Sequence, residues 1–192
     1  MKYGSTARRI PLVPAAVLVA CVMGTMHASA AANQPSQADV EAVYLFDFGK
    51  FVSWPADAEQ GTIHLCVAGS PAVAAGLASD LANENIRGHA LDVRSVVRPE
   101  DEAGCAILFL DSSERTHMDE LLRAVANKPT LTVSDMPGFL SRGGMIQFQL
   151  VEKRVRFSVN LDPVNHAHLV VSSELLKVAV NVQGHAPEGV GE

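Results

Sequence analysis

The six residues CAILFL, at positions 105–110, are apolar without interruption. A strand of this composition has no face suited to water, so both faces must be covered, as in parallel sheets that carry helices on each side. Strand-like runs at 62–68, 90–97 and 130–133 alternate with helix-like segments along the chain. This alternation predicts an α/β fold with an open, largely parallel sheet and helices on both faces.

The C-terminal third has a different pattern. Residues 145–150 and 155–159 alternate apolar with polar side chains, and Glu152 and Lys153 stand between the two runs. Alternation with a period of two is typical of strands that have one buried and one solvated face. These residues therefore predict an antiparallel hairpin at the C-terminal end of the sheet.

Serine and aspartate residues mark the starts of three predicted helices. Such side chains accept hydrogen bonds from free backbone N–H groups of the first turn, and an acidic residue three positions later completes a capping box. The predicted caps are Ser36 with Asp39, Asp111 with Glu114, and Ser172 or Ser173 ahead of the last helix. The first helix is predicted to run to about residue 53, and the second of these to about residue 126.

The first predicted helix is unusually aromatic, because Tyr44, Phe48, Phe51 and Trp54 recur near helical spacing. Pro55 ends the helix, since a residue that precedes proline avoids the α conformation. One interpretation is a helix that buries its aromatic side chains in the core. The other is an interaction helix, in which these four residues pack on a partner chain.

The N-terminus has the pattern of an export signal. Lys2, Arg8 and Arg9 precede an apolar run from Ile10 to Met26, and residues 28–30 read Ala-Ser-Ala. This predicts a secretory signal peptide at 1–30 and a periplasmic protein. An alternative is a lipoprotein whose Cys21, after Leu-Val-Ala, carries the lipid.

The remaining chain divides simply. We predict a flexible lead-in at 31–36, a single domain at 37–182 and a disordered tail at 183–192. Removal of 1–30 takes away three of the 15 basic residues and none of the 21 acidic ones, which leaves a net charge of −9. Because this charge repels phosphate backbones, we expect no nucleic-acid partner.

Two cysteines, Cys66 and Cys105, remain after cleavage at residue 30. An even number of cysteines in an oxidising compartment predicts a disulfide. A bridge that closes a loop of this length stabilises a fold by about 4 kcal/mol in the chain-entropy account. Two buried free thiols are an alternative, and a redox switch is another.

The segment LTVSDMPGFLSRGGMIQF, at 131–148, holds the candidate ligand-binding residues Ser134, Asp135, Gly143 and Gly144. Ligands of open α/β sheets lie beyond the carboxyl ends of strands, where Ser134 and Asp135 would fall. The glycine pair lacks the spacing of a dinucleotide fingerprint or a phosphate loop. A glycine pair more often permits an unusual turn, so a structural role is favoured over ligand binding.

No residue pattern predicts catalysis. The sequence has no Gly-x-Ser-x-Gly elbow, and the two cysteines are better explained as a pair. His166 and His168, on one side of a predicted extended segment, are two candidate metal ligands near Asp162, whereas metal sites need three or four. We therefore predict no catalytic residue, no metal and no cofactor, and treat a hydrolase that uses these histidines as the weakest hypothesis.

The residues that carry a resemblance to a known family occur in order along the chain. They are AVYLFDFGKFVSWP at 42–55, IHLCVAG at 63–69, CAILFL at 105–110, LTVSD followed by GGMIQF, VRFSVN at 155–160 and SSELLKVA at 172–179. In these motifs the chain resembles the YfiR-like family of periplasmic proteins from about residue 38 to 180. NHAHLVV, at 165–171, departs from the family's usual Ala/Gly-rich approach to the last helix.

The resemblance implies a Rossmann-like sheet, a homodimer and a non-catalytic repressor. In the best-known family system, a periplasmic repressor binds the periplasmic domain of an inner-membrane diguanylate cyclase, and an outer-membrane lipoprotein sequesters the repressor. Release of the cyclase raises cyclic di-GMP and favours biofilm. The resemblance also implies a disulfide between Cys66 and Cys105. The alternative function is a small-ligand-binding accessory module for another membrane sensor.

Overall fold

The computed structural model describes residues 35–56, 58, 61–69, 71–98, 101 and 103–185, and the structural statements below concern these residues. The α-helices are α1 (Gln37–Phe51), α2 (Pro71–Asp80), α3 (Met118–Val125), α4 (Leu161–His166) and α5 (Ser173–Val178). The strands are β1 (Val52–Ser53), β2 (Ile63–Ala68), β3 (Asn85–Ile86), β4 (His89–Val96), β5 (Cys105–Leu110), β6 (Leu131–Ser134), β7 (Ile146–Val151), β8 (Arg154–Asn160), β9 (Val170–Val171) and β10 (Asn181–Gln183).

Eight of these strands form one sheet in the order β10-β8-β7-β6-β5-β2-β4-β3. Its central strands β4, β2, β5, β6 and β7 run parallel. The hairpin of β7 and β8 is antiparallel, as is the short pair of β3 and β4. The predicted α/β fold, an open and largely parallel sheet with an antiparallel C-terminal hairpin, is confirmed.

Alternate side chains of the central strands enter two separate cores. Leu65, Val67 and Phe109 face α1 and α2, whereas Ala68 and Leu108 face α3. Both faces of β5 are therefore covered, which is the physical reason for its uninterrupted apolar sequence. Helices lie on both faces of the sheet, as the sequence predicted.

The predicted disulfide is present between Cys66 and Cys105. It joins the neighbouring strands β2 and β5, and both cysteines are buried on the α3 face. The bridge closes a sequence separation of 39 residues. It thus fixes the pairing of two central strands that the chain reaches only through α2 and β4.

Helix α1 begins as predicted and ends slightly earlier. Ser36 and Asp39 form the reciprocal capping box, but the helix ends at Phe51 rather than at about residue 53. The next two residues form β1, which pairs with β9, and the Ser172 N–H donates to the Phe51 carbonyl oxygen at 2.9 Å. Pairing with a distant strand therefore competes with the last helical turn.

Asp111 caps a different element from the one predicted. Its carboxylate accepts from the Ser113 N–H and caps the short 3-10 helix Ser112–Glu114, whereas α3 begins only at Met118 without a side-chain cap. The sequence also missed α4, which Asn160 caps. Ser172, one of the two predicted caps of the last helix, caps α5.

Several sequence predictions lie outside the described residues: the signal peptide at 1–30, the lipidation of Cys21, the lead-in at 31–34 and the tail beyond His185. The predicted tail began at residue 183, but the structure places Gln183 in β10, which pairs with β8. None of the described helices combines the length and the apolar character needed to cross a membrane.

Candidate functional site

Side chains from four segments of the chain, α1, α2 and the residues at the ends of β5 and β6, converge at the carboxyl ends of these two strands. They line a cavity of about 420 Å³, here called the acidic cavity. Its charged lining residues in the described chain are all carboxylates: Asp39, Glu41, Asp80, Asp111 and Asp135. Its apolar wall comes mainly from Leu45, Val73, Leu77 and Phe109. The topology explains the convergence, because ligand sites of parallel sheets form where adjacent strands end.

Glu41 is the most buried of these carboxylates, with 7% of its surface exposed. Its pKa is raised from 4.5 to about 7, mainly by burial and to a smaller extent by the negative charges of Asp135 and Asp111, against a hydrogen bond from Gln37 that lowers it. That bond runs from Gln37 Nε2 to Glu41 Oε1 at 2.8 Å. Near neutral pH, the protonated and ionised forms of Glu41 are therefore both populated.

Asp135 is half-buried, and its Oδ1 atom has no hydrogen-bond partner among the described residues. Burial raises the pKa of this carboxyl, and the neighbouring charge of Asp111 raises it as well. An acceptor shielded from water and without a donor is unfavourable, more so when it is charged. A proton or a positively charged group at this atom would relieve that penalty.

Ser134 has a structural role beside this cavity. Its hydroxyl donates to the Leu110 carbonyl oxygen at 2.8 Å and accepts from the Met136 N–H at 3.0 Å. The side chain is fully buried and does not line the acidic cavity. Ser134 ties the ends of β5 and β6 together and holds the neighbouring Asp135 in position.

The glycine pair lies elsewhere. Gly143 adopts a φ of +94° and ends the 3-10 helix Leu140–Arg142 in the left-handed conformation. A Cβ atom on Gly144 would meet the Phe139 ring at 2.2 Å. The candidate set of four is thus divided, since only Asp135 lines the acidic cavity and the two glycines shape a turn.

The predicted interaction helix turns its aromatic side chains inward. Phe48 is fully buried and Trp54 nearly so, while Tyr44 packs on Phe148 and Phe157 with ring centroids 5.9 and 5.5 Å apart. Of the four predicted contact residues, only Phe51 is substantially exposed. Phe48 and Trp54 therefore belong to the hydrophobic core, although Trp54 lies beyond the end of α1.

The two histidines do not share an extended segment. His166 ends α4, and its Nδ1 atom lies 2.7 Å from the Asp162 carbonyl oxygen. His168 follows the helix in a left-handed conformation. Within the described residues, no group of three or more histidine, cysteine or acidic side chains is arranged to hold a metal ion.

Sequence reasoning missed Glu41 and Asp111 as site residues. Asp111 follows β5 directly, just as Asp135 follows β6, and these strands are parallel neighbours. The rule that placed Asp135 at the carboxyl edge also applies to Asp111, so Asp111 could have been predicted from the sequence. Glu41 had no such signal, because only the packing of α1 brings it to the same edge.

Comparison with known proteins gives a family match and a fold match. The sequence profile of the YfiR/HmsC-like family matches residues 38–180. A crystal structure of a conserved domain protein from Vibrio cholerae aligns with a TM-score of 0.55 at 8% identity, over 74% of this chain and 60% of that one. The chain thus spans 60% of the length of that relative, and the likeness bears on the fold alone.

A second, weaker structural match is an ABC domain in complex with L-Trp from Streptococcus pneumoniae. It aligns with a TM-score of 0.46 at 7% identity, over 63% of this chain and 55% of that one. This likeness is too low to support an argument about the fold or the ligand of the present chain.

Proposed function

This chain belongs to the YfiR/HmsC-like family, and on that premise we propose that it binds and represses an inner-membrane diguanylate cyclase from the periplasm. The observation that carries the proposal is the extent of the family match. Residues 38–180 include α1 except its first residue, α2 to α5, and all of the sheet except β10. The family consists of periplasmic regulators of diguanylate cyclases.

Repression by a binding protein requires no reaction centre. The repressor stabilises one conformational state of its partner, and the shift is limited by its difference in affinity for the two states. Repression should therefore be stoichiometric, with an effect that saturates once the cyclase is fully bound. Binding of an outer-membrane lipoprotein and homodimer formation remain predictions of the same proposal.

The outward side of α1 is the surface we propose for cyclase binding. Val43 is 58% exposed and Phe51 is 40% exposed, whereas Phe48 of the same helix is fully buried. Phe51 lies beside β9, whose Val170 is 53% exposed. Apolar side chains grouped in this way on a soluble domain suit a protein interface.

Deletion of the gene and membrane co-purification test this function. We expect the deletion to raise cellular cyclic di-GMP, and we expect the tagged protein to retain a diguanylate cyclase from detergent-solubilised membranes. Unchanged cyclic di-GMP together with no captured cyclase would contradict repression. Saturation of the effect at equal amounts of the two proteins would support stoichiometric binding.

A pair of variants tests the proposed surface. Val43→Asp should lose cyclase capture and fail to lower cyclic di-GMP in the deletion strain. Val97→Asp is the matched control, because Val97 is 85% exposed beyond the end of β4. If both variants capture the cyclase as well as the unaltered protein does, α1 is not the binding surface.

The acidic cavity favours a second candidate function, the binding of a small cationic ligand as an accessory module of another membrane sensor. The unpartnered Oδ1 atom of Asp135 supports this proposal. Putrescine and benzylamine should raise the melting temperature of the purified protein, and Asp135→Asn should abolish the rise. Asp47→Asn on the exposed side of α1 should retain it. No rise with either amine would remove this candidate.

A further inference from the structure

The strand β4 forms an open edge of the sheet over most of its length. It pairs with β2 from Leu91 to Val96, whereas β3 pairs with it only at His89 and Ala90. Among the described residues, no other strand pairs with β4. Backbone N–H and C=O groups on such an edge can form hydrogen bonds with a strand of another chain.

The hairpin of β3 and β4 shows which backbone groups of β4 point outward. The two residues of its turn both have a positive φ, and a turn of this kind is flanked by a pair of residues that exchange both backbone hydrogen bonds. That pair is Ile86 with His89, so the N–H and C=O groups of His89 point away from β2. Because this direction alternates along a strand, the same groups of Leu91, Val93 and Ser95 point to the open edge.

Opposite charges flank Val93 on one face of β4. The side chains of Asp92 and Arg94 are 48% and 47% exposed. Within one chain, Arg94 Nε donates to Asp92 Oδ2 at 2.8 Å, and His64 Nδ1 lies 3.2 Å from the same oxygen. Leu91 and Val93, on the other face, pack against the core beneath α1 and α2. The charged face therefore stays accessible while the apolar face is anchored.

Two copies of β4 that pair antiparallel about Val93 place opposite charges next to each other. In this register Val93 faces Val93 of the second copy, and Asp92 of each copy faces Arg94 of the other. Leu91 faces Ser95 of the second copy, so the outward backbone groups meet in hydrogen-bonded pairs. The charged residues form the closer, non-hydrogen-bonded pairs, whose Cα atoms lie about 4.5 Å apart. The arrangement thus contains two complementary charge pairs.

The same charges disfavour the neighbouring registers. Moving the twofold axis by one residue along β4 keeps the outward backbone groups paired. It also places Asp92 opposite Asp92 of the second copy, or Arg94 opposite its own equivalent. Like charges directly opposite each other destabilise a strand pair. The order of charges therefore selects one symmetric arrangement of two identical chains.

Charged residues on an edge strand have a simpler explanation, since they commonly prevent edge pairing. Protection alone requires neither opposite signs nor the symmetry of these signs about Val93. The strand at the other edge of the sheet, β10, has the sequence Asn-Val-Gln and therefore no charges that could select a register. The two explanations predict opposite effects of charge reversal in β4, so they can be separated.

We propose that β4 pairs antiparallel with β4 of a second copy about Val93, which joins the two sheets into one continuous sheet. The inference locates the homodimer predicted with the proposed function and therefore rests on that prediction. It does not depend on repression of a cyclase, because association is measured on the purified protein alone. A dimer that forms through another surface would contradict this inference and leave the proposed function intact.

Charge reversal tests the register. Asp92→Arg and Arg94→Asp each place like charges opposite one another and should weaken self-association at least about tenfold. An equal mixture of these two variants restores both opposite pairs in a mixed dimer, so it should associate as the unaltered protein does. The double variant Asp92→Arg/Arg94→Asp should do the same on its own. Sedimentation velocity over a concentration series supplies the measurement, on protein produced from its full-length sequence.

A reversal elsewhere on the surface is the matched control. Asp47 is also an exposed acid in an ion pair within one chain, with Lys50 as its partner. Asp47→Arg should therefore leave the association unchanged. Circular dichroism confirms that each variant folds.

An introduced cysteine provides a second test that leaves the charges in place. Facing residues of a hydrogen-bonded pair have Cα atoms about 5.5 Å apart, which is within the range of a disulfide. Val93→Cys should therefore form a disulfide between two copies under oxidising conditions. Val182→Cys, at an exposed valine of the opposite edge strand β10, should not.

Three results would overturn the proposal. One is a protein that stays monomeric throughout the concentration series, which would contradict the homodimer as well. Another is self-association that both single reversals leave unchanged or that their mixture fails to restore. The third is a Val93→Cys variant that forms no linked pair or that is linked in cells to a different protein, which would assign the edge to a strand of another chain.

Discussion

The described charged residues that line the acidic cavity, at the carboxyl ends of β5 and β6, are all acidic, whereas those that line a second cavity, at the amino ends of the same strands, are all basic. The two ends are also held together differently. Arg87 and Arg94, at the basic end, donate hydrogen bonds to carbonyl, carboxylate and imidazole acceptors. At the acidic end, Asp135 Oδ1 lacks a donor among the described residues.

The polar side chains at the basic end have hydrogen-bond partners, whereas a half-buried carboxylate oxygen at the acidic end has none among the described residues. Burial and mutual repulsion raise the pKa of both Glu41 and Asp135, so ionised carboxylates destabilise the acidic end. The disulfide stabilises the basic end, where Cys105 lines the second cavity. Proteins commonly place unfavourable charge arrangements where a ligand, a partner or a proton relieves them.

The largest expected effect concerns the disulfide that stabilises the basic end. Replacement of both cysteines, in the double variant Cys66→Ala/Cys105→Ala, should lower the free energy of unfolding by about 4 kcal/mol, because the unfolded chain regains the entropy of its closed loop. Urea denaturation followed by circular dichroism measures the change. A loss below about 1 kcal/mol would mean that the strand pairing holds the basic end without the bridge.

The next prediction concerns how the free energy of unfolding depends on pH through Glu41, at the acidic end. Below pH 4.5 Glu41 is protonated in both states, and between 4.5 and about 7 only the unfolded state releases the proton, so the free energy of unfolding falls as pH rises. Glu41→Gln removes this loss and should stabilise the protein by up to about 3 kcal/mol at pH 8. The gain should vanish towards pH 4.

Urea denaturation of Glu41→Gln and the unaltered protein across this pH range supplies the measurement. Glu120→Gln, on the exposed side of α3, is the control and should change stability little at any pH. A constant difference between Glu41→Gln and the unaltered protein would contradict a raised pKa. The contrast between the two ends would then lose its electrostatic basis.

Two glycines allow the backbone at each end to be compared. Gly69, after β2, has a φ of +123° and lies against Asp111, which a Cβ atom would meet at 2.6 Å. Gly61, before β2, has a φ of +92° and open space around it. Thermal denaturation should show that Gly69→Ala costs about 3 kcal/mol and Gly61→Ala about 1 kcal/mol, the difference being the steric clash. Equal losses would mean that Asp111 moves aside.

The smallest effect is expected for Arg94→Gln. Its ion pair with Asp92 is exposed, and such pairs contribute about 0–1 kcal/mol to stability. The melting temperature should therefore change little, even though the basic end of the sheet loses a cation. A loss above about 2 kcal/mol in the free energy of unfolding would contradict this prediction. It would show that the interactions of Arg94 stabilise the fold at the basic end.

Patterns within short segments predicted the secondary structure best. The uninterrupted apolar run of β5 and the alternation in β7 and β8 were identified because the pattern of apolar residues in each strand shows which of its faces are buried. Short elements were missed, since α4 and β9 depend on contacts with distant residues. Helix α1 was identified, but half of its proposed contact residues proved to be buried.

The candidate site was predicted only in part. Asp135 was found because it follows a strand, and Asp111 obeys the same rule but was taken for a helix cap. Glu41 was not identifiable, because its raised pKa arises from burial and, to a smaller extent, from the charges of Asp135 and Asp111, which are distant in the sequence. Gly143 and Gly144, which are conspicuous in the sequence, proved to shape the turn after the 3-10 helix Leu140–Arg142.

The sequence by itself determined the parallel α/β architecture, the C-terminal hairpin and the cysteine pair, because hydrophobic periodicity and cysteine count are local properties of the chain. Only the tertiary structure decided that, among the described residues, acidic side chains line a cavity at one end of the sheet and basic side chains line a cavity at the other. Electrostatic interaction depends on distance and burial in space, and folding brings Glu41 to Asp135 and Arg87 to the end of α1 without leaving a local mark in the sequence.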